Sequence, residues 1–319
     1  GLMSALDEEA AGSLRALNLG VNGLGARSVL LIANALVEGR LDELQELRMG
    51  GNPLGAMGGL AIAIALRRPN SALVTLNLGN SAIGDQGGAA IADALGGDVG
   101  QDAASLRSLQ LPNCGLGASA AEGFGRLIAS PKSGIVELSL AGNPLTPAGA
   151  ASVTGALHLS RTLSRVWLES TQLDDASTPG IAAALSTSNC QLAEMWLSAN
   201  AISNMSTAVI ASILESKSVA QGPKLRKLWI GDTEMTTDSA RSVIQQELAR
   251  APGSGRLQEM MPGARAAETA HPTRAFVTAS SSGPIDFMFD QRPEVRSAAA
   301  MSAATNDDAE EDASFFLTG

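Results

Sequence analysis

One short pattern of leucines recurs along the chain and constrains the fold more than any other feature. In recognisable form, Leu-x-x-Leu-x-Leu-x-x-Asn-x-Leu occurs eight times, at intervals of 28 to 33 residues. The aliphatic triplets of the eight copies are Leu14/Leu17/Leu19, Leu44/Leu47/Met49, Leu73/Leu76/Leu78, Leu106/Leu109/Leu111, Ile135/Leu138/Leu140, Leu163/Val166/Leu168, Leu192/Met195/Leu197 and Leu225/Leu228/Ile230. Three positions beyond each triplet stands a residue able to bond to backbone: Asn22, Asn52, Ser81, Cys114, Asn143, Thr171, Asn200 or Thr233. Such periodicity predicts one supersecondary unit stacked on itself about eight times.

The second half of each repeat carries a helical pattern. The eleven-residue pattern ends on an aliphatic residue five positions after each triplet. Four residues beyond that position there is a small residue: Ser28, Gly58, Gly87, Ala120, Gly149, Ser177, Ser206 and Ser239. Four further on stands a larger apolar residue: Ile32, Ile62, Ile91, Phe124, Val153, Ile181, Ile210 and Val243. A spacing of four places these side chains on one stripe of a helix. We therefore predict an α/β solenoid over residues 1–250, with a concave parallel sheet and convex helices. The stripe fails at Glu247, which we interpret as the end of the array.

The two ends of the chain depart from the period. Leu6 precedes Leu14 by eight residues, as Leu36 precedes Leu44, so residues 1–13 are expected to be the remnant of a preceding repeat, and we expect further repeats or a cap before it. Residues 251–319 are rich in Pro, Gly, Ala and Ser and are expected to form an extended tail.

The tail holds five of the six phenylalanines of the chain, namely Phe276, Phe287, Phe289, Phe315 and Phe316. Apolar residues alternate between Ile285 and Phe289, which is typical of an extended strand. An acidic run over residues 307–312 precedes the last two phenylalanines. Two interpretations stay open: a solvated, disordered tail, or short anchors that dock on the solenoid or on a partner.

The period and the helical half resemble the ribonuclease-inhibitor-like class of leucine-rich repeats. Residues 83–95, IGDQGGAAIADAL, are close to a consensus for that class. It is also found in NOD-like receptors, Ran GTPase-activating proteins, tropomodulins and axonemal scaffolds. The resemblance covers roughly residues 1–250 and implies a horseshoe, but the class shares a shape and not a chemistry, so no functional residue is carried over. The abundant cysteines of ribonuclease inhibitor and the long acidic tail of Ran GTPase-activating proteins have no counterpart in this sequence.

The sequence contains no motif typical of a catalytic or cofactor site. A phosphate-binding loop, H-E-x-x-H, a Cys-x-x-Cys pair and a G-x-S-x-G elbow are all missing. The chain carries 32 acidic and 22 basic residues, which argues against nucleic acid as the main partner. No apolar run approaches the roughly 18 residues of a membrane span. We therefore expect no enzyme activity, cofactor, metal or small-molecule substrate. We also expect a cytoplasmic location, with the cilium or cytoskeleton as one setting.

One column of residues on the predicted sheet is unusual. The residue between the second and third aliphatic positions points away from the core, because side chains alternate across a strand. Along the chain this column runs Asn18, Arg48, Asn77, Gln110, Ser139, Trp167, Trp196 and Trp229. All three tryptophans of the protein therefore lie in consecutive repeats, flanked by charged residues: Arg165, Glu194 and Lys227 on one side, and Glu169 on the other.

An aromatic strip with a charged rim predicts a site that binds protein, since binding hot spots favour Trp and Arg. Two other interpretations stay open: cross-strand pairs that only stabilise the sheet, or a strip covered by the protein's own tail. The sequence favours a non-enzymatic scaffold or adaptor that binds a protein segment on its concave face, as a subunit of a larger assembly of axonemal or cytoskeletal type. The alternatives are a regulator of a small GTPase, similar to Ran GTPase-activating proteins, or the repeat region of a NOD-like receptor.

Overall fold

The computed structural model describes residues 13–69, 71–96, 105–187, 190–215, 225, 227–230, 274–279 and 285–290, the last two ranges as backbone. Strands and helices alternate through most of this length. The parallel strands are β1 (Ala16–Asn18), β2 (Glu46–Arg48), β3 (Thr75–Asn77), β4 (Ser108–Gln110), β5 (Glu137–Ser139), β6 (Arg165–Trp167), β7 (Glu194–Trp196) and β8 (Lys227–Trp229). The helices are α1 (Ala26–Val37), α2 (Gly55–Leu66), α3 (Gly84–Gly96), α4 (Ala118–Ala129), α5 (Pro147–Ala156), α6 (Thr178–Ser186) and α7 (Asn204–Glu215).

The eight strands form one open parallel sheet in sequence order. Each strand pairs with the next so that the middle residues align, as Leu47 does with Leu76 and Leu138 with Val166. These middle residues belong to the buried core. Neighbouring strands lie about 4.8 Å apart whereas helices need about 10 Å, so the array curves with the sheet on its inner side. The predicted α/β solenoid is confirmed.

An asparagine ladder holds the turns that follow the strands. Asn143 Oδ1 accepts hydrogen bonds from the backbone N–H groups of Cys114 (2.8 Å) and Leu116 (3.1 Å) in the preceding repeat. Its Nδ2 donates to the carbonyls of Leu111 and Leu140, both at 2.8 Å. Asn52 and Asn200 make the same four bonds in their own repeats. In each of these three repeats, one side chain thus satisfies four backbone groups that the turn would otherwise leave unpaired.

Serine, cysteine and threonine replace the asparagine in part, at Ser81, Cys114 and Thr171. Cys114 Sγ donates to the carbonyl of Leu78 over 3.1 Å, and Thr171 Oγ1 donates to that of Leu168 over 2.7 Å. Both side chains are fully buried. They keep the donor function of the ladder residue.

The convex layer packs closely because of its small residues. A Cβ atom on Gly59 would lie 2.7 Å from the Cα atom of Gly87 in the next helix, and one on Gly58 would lie 2.8 Å from Leu54 Cβ. The larger apolar residues of the predicted stripe, from Ile32 to Ile210, are at most 1% exposed. The spacing of four seen in the sequence therefore marks the helix face that meets the sheet.

Two convex segments are less regular than the pattern predicts. In the sixth repeat a 3₁₀ turn, Asp175–Ser177, precedes α6. Pro179 lies in the first turn of α6 and has no N–H to donate, so an α-helix cannot run through it with full hydrogen bonding. After α5 the chain tightens into a second 3₁₀ turn, Leu157–Leu159, and His158 lies within this turn.

The segment expected to be a tail contributes two strands to the sheet. β9 (Arg274–Ala279) pairs antiparallel with β8, and β10 (Ile285–Asp290) pairs antiparallel with β9. β10 contains the alternating residues from which a strand was predicted. The proposed remnant over residues 1–13 lies outside the described residues except for its last residue. The helical half of the eighth repeat, with Glu247, and the acidic run also lie outside them.

Candidate functional site

The concave face of β5 to β8 carries two adjacent rows of side chains. The first residues of these strands pair in register and form the charged row: Glu137, Arg165, Glu194 and Lys227. The third residues of β6 to β8 form the aromatic row: Trp167, Trp196 and Trp229. The middle residues between the two rows, such as Val166 and Met195, are fully buried. Because side chains alternate along a strand, both rows face away from the core.

The three indoles are stacked on one another. The ring centroids of Trp167 and Trp196 are 4.6 Å apart with an interplanar angle of 14°, and those of Trp196 and Trp229 are 4.3 Å apart at 9°. These separations follow from the spacing of in-register parallel strands, about 4.8 Å. All three tryptophans are half-buried. Stacking covers the ring faces inside the row, and among the described residues Trp167 has a stacked ring on one face only.

Charges of alternating sign run beside the indoles. Glu137 forms an ion pair with Arg165, and the Lys227 Nζ lies 3.3 Å from the Glu194 Oε1. Glu137 also accepts a hydrogen bond from the Ser108 Oγ over 2.9 Å. The charged row is therefore largely neutralised within the sheet. Glu137 was missed in the sequence analysis, although reading the first concave position of each strand as a column shows the alternation of charge.

Glu169 lies on the other side of the aromatic row. It follows Trp167 by two residues and is half-buried. Its carbonyl accepts a hydrogen bond from the Gly142 N–H over 2.7 Å. The corresponding residues of neighbouring repeats, Ala141 and Ser198, are small. Glu169 is thus a carboxylate at the rim of the indoles, next to a stretch of sheet with little side-chain cover.

The amino-terminal half of the same concave column is polar. The Asn77 Nδ2 donates to the Gln110 Oε1 over 2.8 Å, and the Asn77 Oδ1 accepts from the Gly79 N–H over 3.0 Å. Arg48 forms an ion pair with Glu46 on its own strand. This half therefore presents hydrogen-bonding groups that are already paired, whereas the other half presents aromatic carbon.

The backbone register separates the candidate tail anchors. Phe276 pairs with Trp229, so it occupies the position that continues the aromatic row into β9. Phe287 pairs with Val277, which pairs with Leu228, a residue of the core. Phe289 lies two residues further along β10, so it belongs to the same alternate set of strand positions as Phe287. Phe315 and Phe316 lie outside the described residues.

Neither cysteine is disposed to act as a nucleophile. Burial raises the pKa of the Cys114 thiol to about 11 and also raises that of Cys190. Both thiols are free and buried. Within the described part of the chain no cluster of three His, Cys, Asp or Glu side chains is arranged to hold a metal ion. Of the helices described, none has both the length and the apolar character to cross a bilayer.

Comparison with known proteins agrees with the repeat geometry. A family model described as Leucine Rich repeat matches residues 70–92, which contain β3 and most of α3. The chain is also 28% identical to the ribonuclease inhibitor of Mus musculus over 148 residues. Both findings support a leucine-rich-repeat family similar to ribonuclease inhibitor. The aligned region covers 46% of this leucine-rich-repeat chain and 31% of the mouse protein.

Proposed function

We propose that this leucine-rich-repeat protein is a non-enzymatic scaffold that binds a segment of another protein on its concave face. The single observation that carries the proposal is the half-buried stack of Trp167, Trp196 and Trp229 on that face. The centres of protein interfaces are enriched in Trp and Arg, and aromatic anchors there are surrounded by a polar rim. The charged row and Glu169 supply such a rim.

The main competing interpretation is that the stack only stabilises the sheet. An aromatic pair contributes about 0.5–1.5 kcal/mol beyond the burial of its area, so two pairs contribute a few kcal/mol at most. The sheet does not need this contribution in its first five strands, where the same column holds smaller polar residues in four positions and Arg48 in the fifth. A function in binding explains why the aromatic residues are confined to three consecutive repeats.

The setting of the scaffold is also part of the proposal. We place it in the cytoplasm, as a subunit of a larger assembly of cytoskeletal or axonemal type, with further contacts through its carboxyl-terminal segment. Regulation of a small GTPase and a place in a NOD-like receptor rest on the resemblance alone. A measured rise in GTP hydrolysis by a partner GTPase would be needed to support the first of these alternatives.

The test compares two triple variants of the full chain. One replaces Trp167, Trp196 and Trp229 by alanine, and the matched control replaces Asn18, Arg48 and Asn77 by alanine, which lie in the same column of the polar half. Each protein is used to capture partners from native extract, followed by quantitative mass spectrometry. We expect the tryptophan variant to lose partners that the control and the unchanged protein retain.

Circular dichroism and urea unfolding of both variants establish that the solenoid is intact. Recovery of the same partners by all three proteins would rule out the aromatic row as the binding surface. Loss of the partners by both triple variants would instead indicate that binding depends on the whole concave face. In that case the proposed role of the scaffold stands, but its centre does not lie on the indoles.

A further inference from the structure

We infer that the concave face holds one arginine side chain of its protein partner, stacked on the outer face of Trp167. The inference rests on the proposed function and identifies the chemistry that this end of the aromatic row recognises. The place is the strip of sheet above Ser139 and Ala141, between Gln110 on β4 and Trp167 on β6. We call this strip the notch.

The floor of the notch is made of small residues. Ser139 and Ala141 are half-buried and occupy concave positions of the fifth repeat. The far wall is held back, because the Gln110 side chain accepts a hydrogen bond from Asn77, on the side away from β5. Ser108, next to Gln110 on the same face, is hydrogen-bonded to Glu137. Among the described residues, Gln110 and Ser108 are thus hydrogen-bonded to neighbours other than Ser139.

The near wall is an aromatic ring face. Among the described residues, Trp167 has one ring partner, Trp196, so the stack of three indoles ends at the notch. Ser139 pairs in register with Trp167, as Trp167 does with Trp196. A planar group above Ser139 would therefore occupy the next place of the stack, at about the 4.8 Å spacing of the strands.

The charges around the notch favour a planar cation. Glu137 precedes Ser139 by two residues and Glu169 follows Trp167 by two, so two carboxylates stand at the ends of this place against one cation, Arg165, which is paired with Glu137. The sheet contains a similar arrangement within itself: the Lys227 Nζ lies 5.6 Å from the Trp229 ring centroid and 3.3 Å from a carboxylate oxygen of Glu194. A guanidinium group fits better than an ammonium group, because it is planar and can stack on the indole while it donates to carboxylates at its edge.

The test uses small probes with the full chain labelled with ¹⁵N. N-acetyl-arginine amide, N-acetyl-lysine amide and N-acetyl-phenylalanine amide are titrated while the indole N–H signals are followed by NMR. We expect the arginine probe to shift the Trp167 signal saturably, with a dissociation constant on the order of millimolar, as befits a single cation–π contact. The lysine and phenylalanine probes should bind at least about threefold more weakly.

Variants locate the binding. Ser139→Leu fills the notch and should abolish the shift, whereas Asn18→Leu, in the same column four strands away, should leave it unchanged. Trp167→Leu removes the ring but not the floor and should abolish the binding of the arginine probe, followed in this variant by its effect on the backbone signals of Ser139 and Ala141. Equal binding of all three probes, or an undiminished arginine response in Ser139→Leu, would overturn the inference.

The experiments distinguish an error in the proposed arginine site from an error in the proposed function. If Ser139→Leu retains partners that the tryptophan triple variant loses, the concave scaffold stands and the arginine site falls. If the triple variant also retains them, the proposed function falls, while the probe titration still decides the chemistry of the notch.

Discussion

Two columns of residues run the length of this solenoid, one inside the turns and one on the concave face, and they differ in how much they vary. The turn column repeats Asn or a residue that imitates it, because every turn leaves the same backbone groups to satisfy. The concave column changes from Asn18 to Trp229, because its hydrogen bonds, such as that of Asn77 with the Gly79 N–H, are not made in every repeat. Uniformity along a repeat array thus marks what the fold needs, and variation marks where binding can be specified.

The strongest way to break this comparison is to remove a ladder asparagine. Asn143→Ala leaves two buried N–H groups and two carbonyls without that partner, so we expect the free energy of unfolding to fall by about 3–5 kcal/mol. Urea unfolding followed by circular dichroism measures the loss. Asn22→Ala, at the exposed start of the array, is the control and should cost less than about 1 kcal/mol. Similar losses at the two positions would show that the ladder does not act through buried bonds.

A smaller effect is expected in the aromatic row. Trp196 stacks on two rings and Trp167 on one, so Trp196→Ala should lower the free energy of unfolding through stacking by about 1–3 kcal/mol and Trp167→Ala by about half as much. The same unfolding measurement compares them. Because both single variants lose the Trp167–Trp196 pair, the double variant should lose less stability than the sum of the two single losses. Equal losses from the two single variants would contradict a stacked row. We expect each single variant to lower the free energy of partner binding by more than it lowers the free energy of unfolding.

Restoring asparagine in the ladder should have a modest stabilising effect. Cys114 donates to the Leu78 carbonyl through a thiol, whereas an asparagine there would place an amide oxygen, a stronger acceptor than sulfur, toward the N–H groups of Ser81 and Ile83, by analogy with Asn143. We expect Cys114→Asn to raise the free energy of unfolding by about 1 kcal/mol and Cys114→Ala to lower it by a similar amount. A loss of stability in Cys114→Asn would mean that the space around the thiol cannot accept the larger amide.

The smallest predicted effect concerns pH and the contact between successive helices. The Asp85 carboxylate accepts hydrogen bonds from the N–H groups of Gly117 (2.9 Å), Ser119 (3.2 Å) and Ala120 (2.7 Å) at the start of α4. Burial acts to raise the pKa of Asp85, but these bonds together hold it below its usual value. A lowered folded-state pKa contributes stability above the unfolded value of about 3.9, and this contribution is lost as the pH falls through the folded value.

Asp85→Asn should therefore weaken the decrease of stability between neutral pH and about pH 3, with an effect below about 1 kcal/mol. The measurement is the urea midpoint across that range. Asp93→Asn, on the exposed side of α3, serves as the control. If Asp85→Asn has the same dependence of the urea midpoint on pH as the unchanged protein, the Asp85 carboxylate does not stabilise the contact between these helices.

The repeat pattern predicts much of the fold because the burial of each residue is set by its position within a unit. Leu47, Ile62 and Phe124 are buried where their spacing places them. The irregular convex turns at Asp175–Ser177 and Leu157–Leu159 were not predicted, since they depend on local hydrogen bonding that the spacing of apolar residues does not report. Pro179 is the signal that was available for the first of them.

The candidate site was predicted in outline. The alternation of side chains along a strand places Trp167, Trp196 and Trp229 in one column, and stacking then follows from the spacing of the strands. The role of Glu137 was missed, because its ion pair with Arg165 joins two repeats 28 positions apart in the sequence. That these residues bind a protein partner stays a prediction.

What the sequence by itself determined is the unit: a strand, a turn held by asparagine and a helix, with the identity of every concave column. What only the tertiary structure decided is how units meet. Asp85 bonds to the first residues of the next helix, Gln110 is held toward Asn77, and β9 joins the sheet antiparallel to β8. These contacts depend on distance and direction between segments far apart in the chain, and a linear pattern carries no such information until the repeats are stacked.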